Sequence, residues 1–187
     1  MKVYILSGGK SSRMGSDKGL AKIDGKPLVA YLIETLQKLN VEINIIAHHA
    51  EYFNFNCRVI EDVYKEKGPV GGIYTALKDA QDEVLVLSVD TPFIKEKHIN
   101  KLLEQHQQGH ITLAYSEAKM YPLCGMYPYQ LVDVLESSIL ENRLKLMQFI
   151  EEQGYKKVNF EFTMLEKMNI NTLDALDIAE KLYRNGN

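Results

Sequence analysis

The sequence predicts an α/β domain, three layers deep, with a mostly parallel central sheet and helices on both faces. Apolar runs of strand length alternate with segments of helical spacing, as in a βαβα chain. One run, "VLVLSV" (84–89), is apolar at every position but one, as a strand buried on both faces requires. No repeat, low-complexity stretch or linker breaks the alternation, and 187 residues suit a single domain with one core.

The elements follow in order. "VYIL" (3–6) reads as the first strand. After a long glycine-punctuated loop, "PLVAYLIETLQKL" places Leu28, Leu32, Leu36 and Leu39 on one helix face, with Pro27 suited to the first helical position. "INIIA" (43–47) and "RVIE" (58–61) are the next strands, and "GGIYTALKDA" the next helix. The central strand "VLVLSV" precedes the helix "HINKLLEQHQQ" and the strand "ITLAY" (111–115). "MYPLCGMYP" (120–128) reads as a strand and turn, with Cys124 as packing, and "YQLVDVLESSIL" as a helix. "KVNFEF" (157–162) and "DALDIAEKLY" supply a last strand and helix. The pattern is Rossmann-like.

Composition excludes several functions. A net charge of −3 makes the surface a poor binder of polyanions, and no basic patch argues for nucleic acid. Cys57 and Cys124 lack metal-ligand spacing, so neither a disulfide framework nor a zinc site is expected. The five histidines share no loop at ligand spacing. The opening apolar run is too short for a signal-peptide core, and no run reaches membrane-spanning length. A cytoplasmic protein without membrane or nucleic-acid partners is expected.

The chemistry concentrates in "LSGGKSSRMGSDKG" (6–19). It is not a P-loop, because position 4 is Tyr where that motif needs Gly. It is not a dinucleotide fingerprint, because about fifteen polar residues separate its glycines from the next helix. What remains is a loop whose glycines let backbone N–H groups line an anion. Arg13 can fork two phosphate oxygens, and Lys18 can act as a movable point charge. The plainer alternative is a solvated basic loop. In open sheets, ligands sit outside the carboxyl ends of the strands. Three polar clusters fall there: 7–18, 62–72 and 90–92. Asp90 ends a buried strand before Thr91-Pro92, which makes it a candidate Mg²⁺ ligand or else a turn former.

These residues carry a resemblance. "LSGGKSSRMGSDKGLAKIDGKPL" resembles the Leu-Ala-Gly-Gly-x-Ser-x-Arg-Met-Gly-x-Asp-Lys signature of nucleotidyltransferases. With "EDVYKEKGPVGGIYTAL", "VLVLSVDTPFI" and "NINTLDAL" in that order, the chain is similar to molybdenum cofactor guanylyltransferases of the MobA type. Ser7 and Gly71 stand where that family has Ala, Thr91 where it has Met, and His48 where many members have Asn.

The resemblance implies a nucleotide-diphospho-sugar transferase-like fold over 1–187, with a nucleotide-binding half at about 1–95 and an acceptor-binding half at about 96–187. It implies transfer of GMP from GTP to the terminal phosphate of molybdopterin or molybdenum cofactor, with release of pyrophosphate and dependence on Mg²⁺. Arg13, Lys18 and Asp90 would be catalytic, with Asp90 holding the metal. Leu6, Ser7, Gly8, Gly9, Arg13, Lys18, Asp62, Gly68, Gly72 and Asp90 would bind the nucleotide. Asp62, being acidic, suits the nucleoside or a metal-bound water, unless it is an exposed turn residue. Gly71 and Gly72 either let a helix N-terminus face the ligand or serve packing. Transient contacts with other proteins of the same biosynthesis are implied too. Guanine over cytosine rests on the resemblance alone, so a cytidylyl version of the reaction and a non-catalytic nucleotide-binding module stay open.

An attacking phosphate monoester, with a second pKa near about 6, needs no protein base at neutral pH. The absence of a Ser-His-Asp or Cys-His constellation is therefore consistent with the transfer. Towards the C-terminus, Asn171 is expected to cap a helix, with Asp174 answering as in a capping box. Asn169 and Asn171 stay candidates for touching the acceptor, and Arg143 either binds the pterin phosphate or is a solvated surface residue.

Overall fold

The structure is a computed structural model that describes residues 1–7 and 17–186. Its main sheet has seven strands: β1 (Lys2–Leu6), β4 (Glu42–Ile46), β5 (Arg58–Ile60), β6 (Val84–Ser88), β7 (Ile111–Ser116), β8 (Lys119–Tyr127) and β9 (Tyr155–Asn159). A small hairpin pairs β2 (Lys22–Ile23) with β3 (Lys26–Pro27). The helices are α1 (Leu28–Leu36), α2 (Gly68–Ala80), α3 (Glu96–Gln105), α4 (Val132–Leu140), α5 (Leu146–Gln153) and α6 (Leu173–Gly186).

Sheet order is β5-β4-β1-β6-β8-β7-β9. Only β8 runs against the rest, pairing antiparallel with β6 and β7. The α/β fold with a mostly parallel sheet is thus present. β1 and β6 lie side by side at the centre, Ile5 opposite both Ile45 and Leu87. Their pleat divides the core. Val3, Ile5, Leu85 and Leu87 face one side, with Val29, Leu32 and Leu36 of α1 and Ile99 and Leu102 of α3. Tyr4, Leu6, Val84 and Val86 face the other, against Val70, Ile73 and Leu77 of α2 and residues of α4 and α5. Strands buried on both faces need apolar residues at every position, which is why "VLVLSV" reads as it does.

Several elements differ from the sequence reading. Pro27 closes the hairpin and precedes α1 instead of starting it, because its extended φ/ψ still belongs to β3. β9 ends at Asn159. Phe160, whose N–H still bonds Tyr115 O of β7 at 2.8 Å, and Phe162 continue past it, stack on each other and meet His98 edge-on in a buried aromatic cluster. The sequence reading had no counterpart to α5, whose short apolar set of Leu146, Phe149 and Ile150 is buried. A third cluster gathers Ile23, Leu28, Tyr31, Phe93, Ile170 and Ala179, docking α6 onto the hairpin and α1. Among the described residues no helix is long and apolar enough to cross a membrane.

Candidate active site

The chain leaves β1 through α1 to reach β4 on one side, and leaves β6 through α3 towards β7 on the other. β1 and β6 therefore flank a topological switch point, where the loops diverge and leave a crevice at the carboxyl ends. Asp90 sits there, in the turn after β6. Its backbone is held from two sides: its N–H donates to Ser88 Oγ at 3.2 Å, and its carbonyl accepts from Ile170 N at 2.8 Å. Its carboxylate faces the crevice, a quarter exposed.

Lys18 reaches the same point from the other side of the crevice. It opens a single 3₁₀ turn (Lys18–Leu20) capped by the Asp17 side chain, which accepts from Gly19 N at 3.0 Å. The Lys18 ammonium donates to Asp90 Oδ1 at 2.8 Å and to Asn171 Oδ1. Asn171 Nδ2 in turn donates to Asn169 Oδ1. The reason these asparagines point into the crevice is local. Ile170 between them is fully buried in the third core cluster, which leaves the polar side chains on either side of it to the crevice.

This overturns the expected cap. Helix α6 is capped by Thr172, whose Oγ1 accepts from Ala175 N at 3.1 Å, leaving the Asn171 side chain to Lys18. Thr172 lies one residue nearer the helix, where an N-cap oxygen can reach the N3 amide. Asn171, from the half assigned to the acceptor, thus holds a lysine of the nucleotide half, and one sheet runs through both halves.

Farther along the same edge lies Asp62, after β5. His48, after the neighbouring β4, meets Asp62 Oδ2 through Nε2 at 3.0 Å. The other oxygen, Oδ1, is buried with no hydrogen-bond partner. Burial pushes this carboxyl above the usual range, and His48, with the Thr75 hydroxyl nearby, only partly offsets it. Asp62 is therefore not an exposed turn residue.

The glycines divide by role. Gly68 opens α2 at φ +58°, a conformation that asks for glycine, at the carboxyl edge of the sheet. A Cβ on Gly72 would come within 3.0 Å of Leu6 Cδ1, so Gly72 lets helix α2 lie close on β1, and the Leu6 side chain belongs to the core. Gly71 is likewise a close-packing position, against Lys67 and the Tyr64 carbonyl. On the β8 side of Asp90, Lys119–Leu123, Ser88, Asp90, Thr91 and Asn169 line a cavity of about 80 Å³.

Other expected residues fall elsewhere. Arg143 follows α4 and pairs with Glu141 at 2.7 Å and Glu152 at 3.5 Å, half-exposed. Gly8, Gly9 and Arg13 lie outside the described residues. Ser7 is buried, its N–H on Ile46 O at 2.9 Å. Tyr52, which carries no motif signal, is fully buried in the 3₁₀ turn after β4 (Ala50–Phe55) and bonds both Ser7 and Asp17. An aromatic in a polar stretch after a strand was its only trace in the sequence. Burial holds the Cys124 thiol up at about 12, which fits packing rather than reactivity.

The chain is similar to known proteins over most of its length. The model of the MobA-like NTP transferase domain matches residues 3–158. A Flavobacterium johnsoniae protein named probable molybdenum cofactor guanylyltransferase is 35% identical over 177 residues, 93% of either chain. The Haemophilus influenzae protein named molybdenum cofactor guanylyltransferase is 32% identical over 179 residues, 92% of this chain and 93% of the other. The crystal structure of molybdopterin-guanine dinucleotide biosynthesis protein A from Archaeoglobus fulgidus shares the fold, with a TM-score of 0.81 over 99% of this chain and 100% of that one, at 24% identity. With its signature loop, switch-point crevice and these relatives together, the chain belongs to the MobA-like NTP transferase family.

Proposed function

We propose that this chain is a molybdenum cofactor guanylyltransferase. It moves GMP from GTP to the terminal phosphate of molybdopterin or its molybdenum form, giving the guanine dinucleotide and pyrophosphate. One observation carries the reading: three segments distant in sequence deliver Lys18, Asp90 and Asn171 to one hydrogen-bonded set at the switch point. Relatives of this chain over nearly its whole length bear that enzyme's name.

The acceptor phosphate oxygen attacks the α-phosphorus of GTP. The bond from that phosphorus to the bridging oxygen breaks, and its electron pair leaves with pyrophosphate. The acceptor monoester is already largely dianionic, so the protein's task is to bring two polyanions together and absorb charge on the leaving group. Lys18, now countering Asp90, exchanges that partner for a phosphate oxygen when the triphosphate enters. Asn171 keeps the ammonium aimed meanwhile. Arg13 is assigned the same charge-neutralising work by the family signature.

Asp90 offers a single hard carboxylate. Among the described residues no group of three or more His, Cys, Asp or Glu could hold a metal. That donor set fits Mg²⁺, which takes one or two carboxylates and completes its shell with phosphate oxygens and water. Bound at Asp90, it would supply charge neutralisation on the triphosphate.

The test is to incubate the protein with GTP or CTP, Mg²⁺ and molybdopterin, and to measure pyrophosphate. Release with GTP is expected. Release with CTP alone would remove the guanylyl assignment, and binding of GTP without any release would reduce the protein to a nucleotide-binding module.

A further inference from the structure

The proposed transfer depends on where Lys18 stands, and its turn is held partly from outside the signature loop. Lys18 begins a one-turn 3₁₀ segment, too short to be stable by itself. Its cap is the Asp17 carboxylate, and that carboxylate is held from a remote part of the chain. The Tyr52 hydroxyl donates to Asp17 Oδ1, the atom that also accepts from Gly19 N at 3.0 Å. With its own proton committed to Asp17, the Tyr52 oxygen accepts from Ser7 Oγ. Ser7 is tied to the sheet by its N–H on Ile46 O at 2.9 Å.

A single relay therefore runs from the end of β1 to the turn carrying Lys18: Ser7, Tyr52, Asp17, Gly19. It is tightly enclosed. A Cβ on Gly19 would overlap both Ser7 Oγ and the Tyr52 hydroxyl. Tyr52 is wholly buried, with its ring in the α1 side of the core beside Phe55. Burial, then the Asp17 carboxylate, pushes the phenol well above its ordinary range, so it stays a donor at any physiological pH.

We propose that the Tyr52 hydroxyl is a positioning group for phosphate handling: by bridging Ser7 and Asp17 it fixes the turn that aims Lys18 at Asp90. This rests on the reading of Lys18 as a triphosphate contact. Tyr52 does not touch the reacting atoms; it acts through Lys18. A rigidly aimed ammonium binds phosphate without first losing the freedom of its turn.

Tyr52→Phe tests this, because the ring and its packing survive and only the hydroxyl is lost. The variant should raise the KM for GTP about tenfold, the size of one lost hydrogen bond to a charged group. The KM for molybdopterin should stay at the wild-type value. In a Lys18→Met background the same Tyr52→Phe change should cost less than about twofold, since a group acting through Lys18 has nothing left to aim. An unchanged KM for GTP, or an undiminished penalty without Lys18, overturns the proposal. Amide exchange at Gly19, read without nucleotide, should accelerate about tenfold in Tyr52→Phe as its acceptor comes loose. Unchanged protection there overturns the relay whatever the enzyme does with GTP. Lost protection in the variant, together with a wild type that turns over no GTP, overturns the functional reading and leaves the relay standing.

Discussion

Two carboxylates at the carboxyl edge of the sheet, Asp90 and Asp62, differ in how their charge is met. Asp90 has an ammonium at 2.8 Å, and that ammonium is itself held by Asn171. Asp62 has one oxygen on the half-exposed His48 and the other buried with no partner. The first end of the crevice is electrostatically complete and prearranged. The second retains a desolvated acceptor, which costs stability until a donor reaches it. The two ends therefore differ in kind: a fixed cation stands at one, a desolvated carboxylate oxygen at the other.

Breaking the Asp90 end should have the largest effect on turnover. Asp90→Ala is expected to lower kcat by about a hundredfold or more, as for one lost electrostatic stabiliser. Its melting temperature should move little, because a partly exposed ion pair contributes only about 0–1 kcal/mol. Steady-state kinetics beside a thermal melt separates the two, and near-normal turnover would remove Asp90 from the mechanism.

A smaller effect tests whether the asparagine shares in that end. Asn171→Ala leaves Lys18 its ion pair but not its second anchor, so kcat/KM for GTP should fall about three- to tenfold. Because Thr172 is the cap of α6, stability should be almost untouched. A large loss of helix stability instead would restore the capping role to Asn171.

The smallest effect sharpens the other side of the comparison. At Asp62 burial raises the folded pKa above the unfolded one, so the folded state holds the proton more tightly. Stability then falls as pH rises through that folded value. Asp62→Asn should accordingly raise the melting temperature by about 1–3 °C at neutral pH. The gain should shrink as the pH drops through the raised folded value and vanish below the ordinary carboxylate range, where Asp62 is protonated in both states. Melts across that window check it; a variant less stable at neutral pH would mean the carboxylate is satisfied after all. Nucleotide affinity should move the opposite way, weakening as the buried acceptor loses its charge.

Much of this edge was legible beforehand. Asp62, Asp90 and the start of the signature loop could be placed at strand ends because "RVIE", "VLVLSV" and "VYIL" have unmistakable strand patterns. Asn171 was misread because a polar residue before an apolar helical run looks like a cap from sequence alone. Only the burial of Ile170 turned its neighbours into the crevice and gave the cap to Thr172. Arg143 could be read as a phosphate contact or as a solvated surface residue, and it stands half-exposed, paired with Glu141 and Glu152. Tyr52 escaped notice because its part depends on a hydroxyl reaching two residues distant in the chain, and no periodicity encodes that. Helix α5 is too short for its spacing to stand out from a loop.

Local patterning by itself determined the class of fold, the central strands and the loop chemistry, because burial on two faces and turn residues leave their mark within a few positions. The meeting of Lys18 with Asp90 and Asn171, the relay through Tyr52 and the unmet oxygen of Asp62 were decided only in three dimensions. Each depends on which strands become neighbours and which side chains the core takes in, and those choices are settled by packing among residues far apart along the chain.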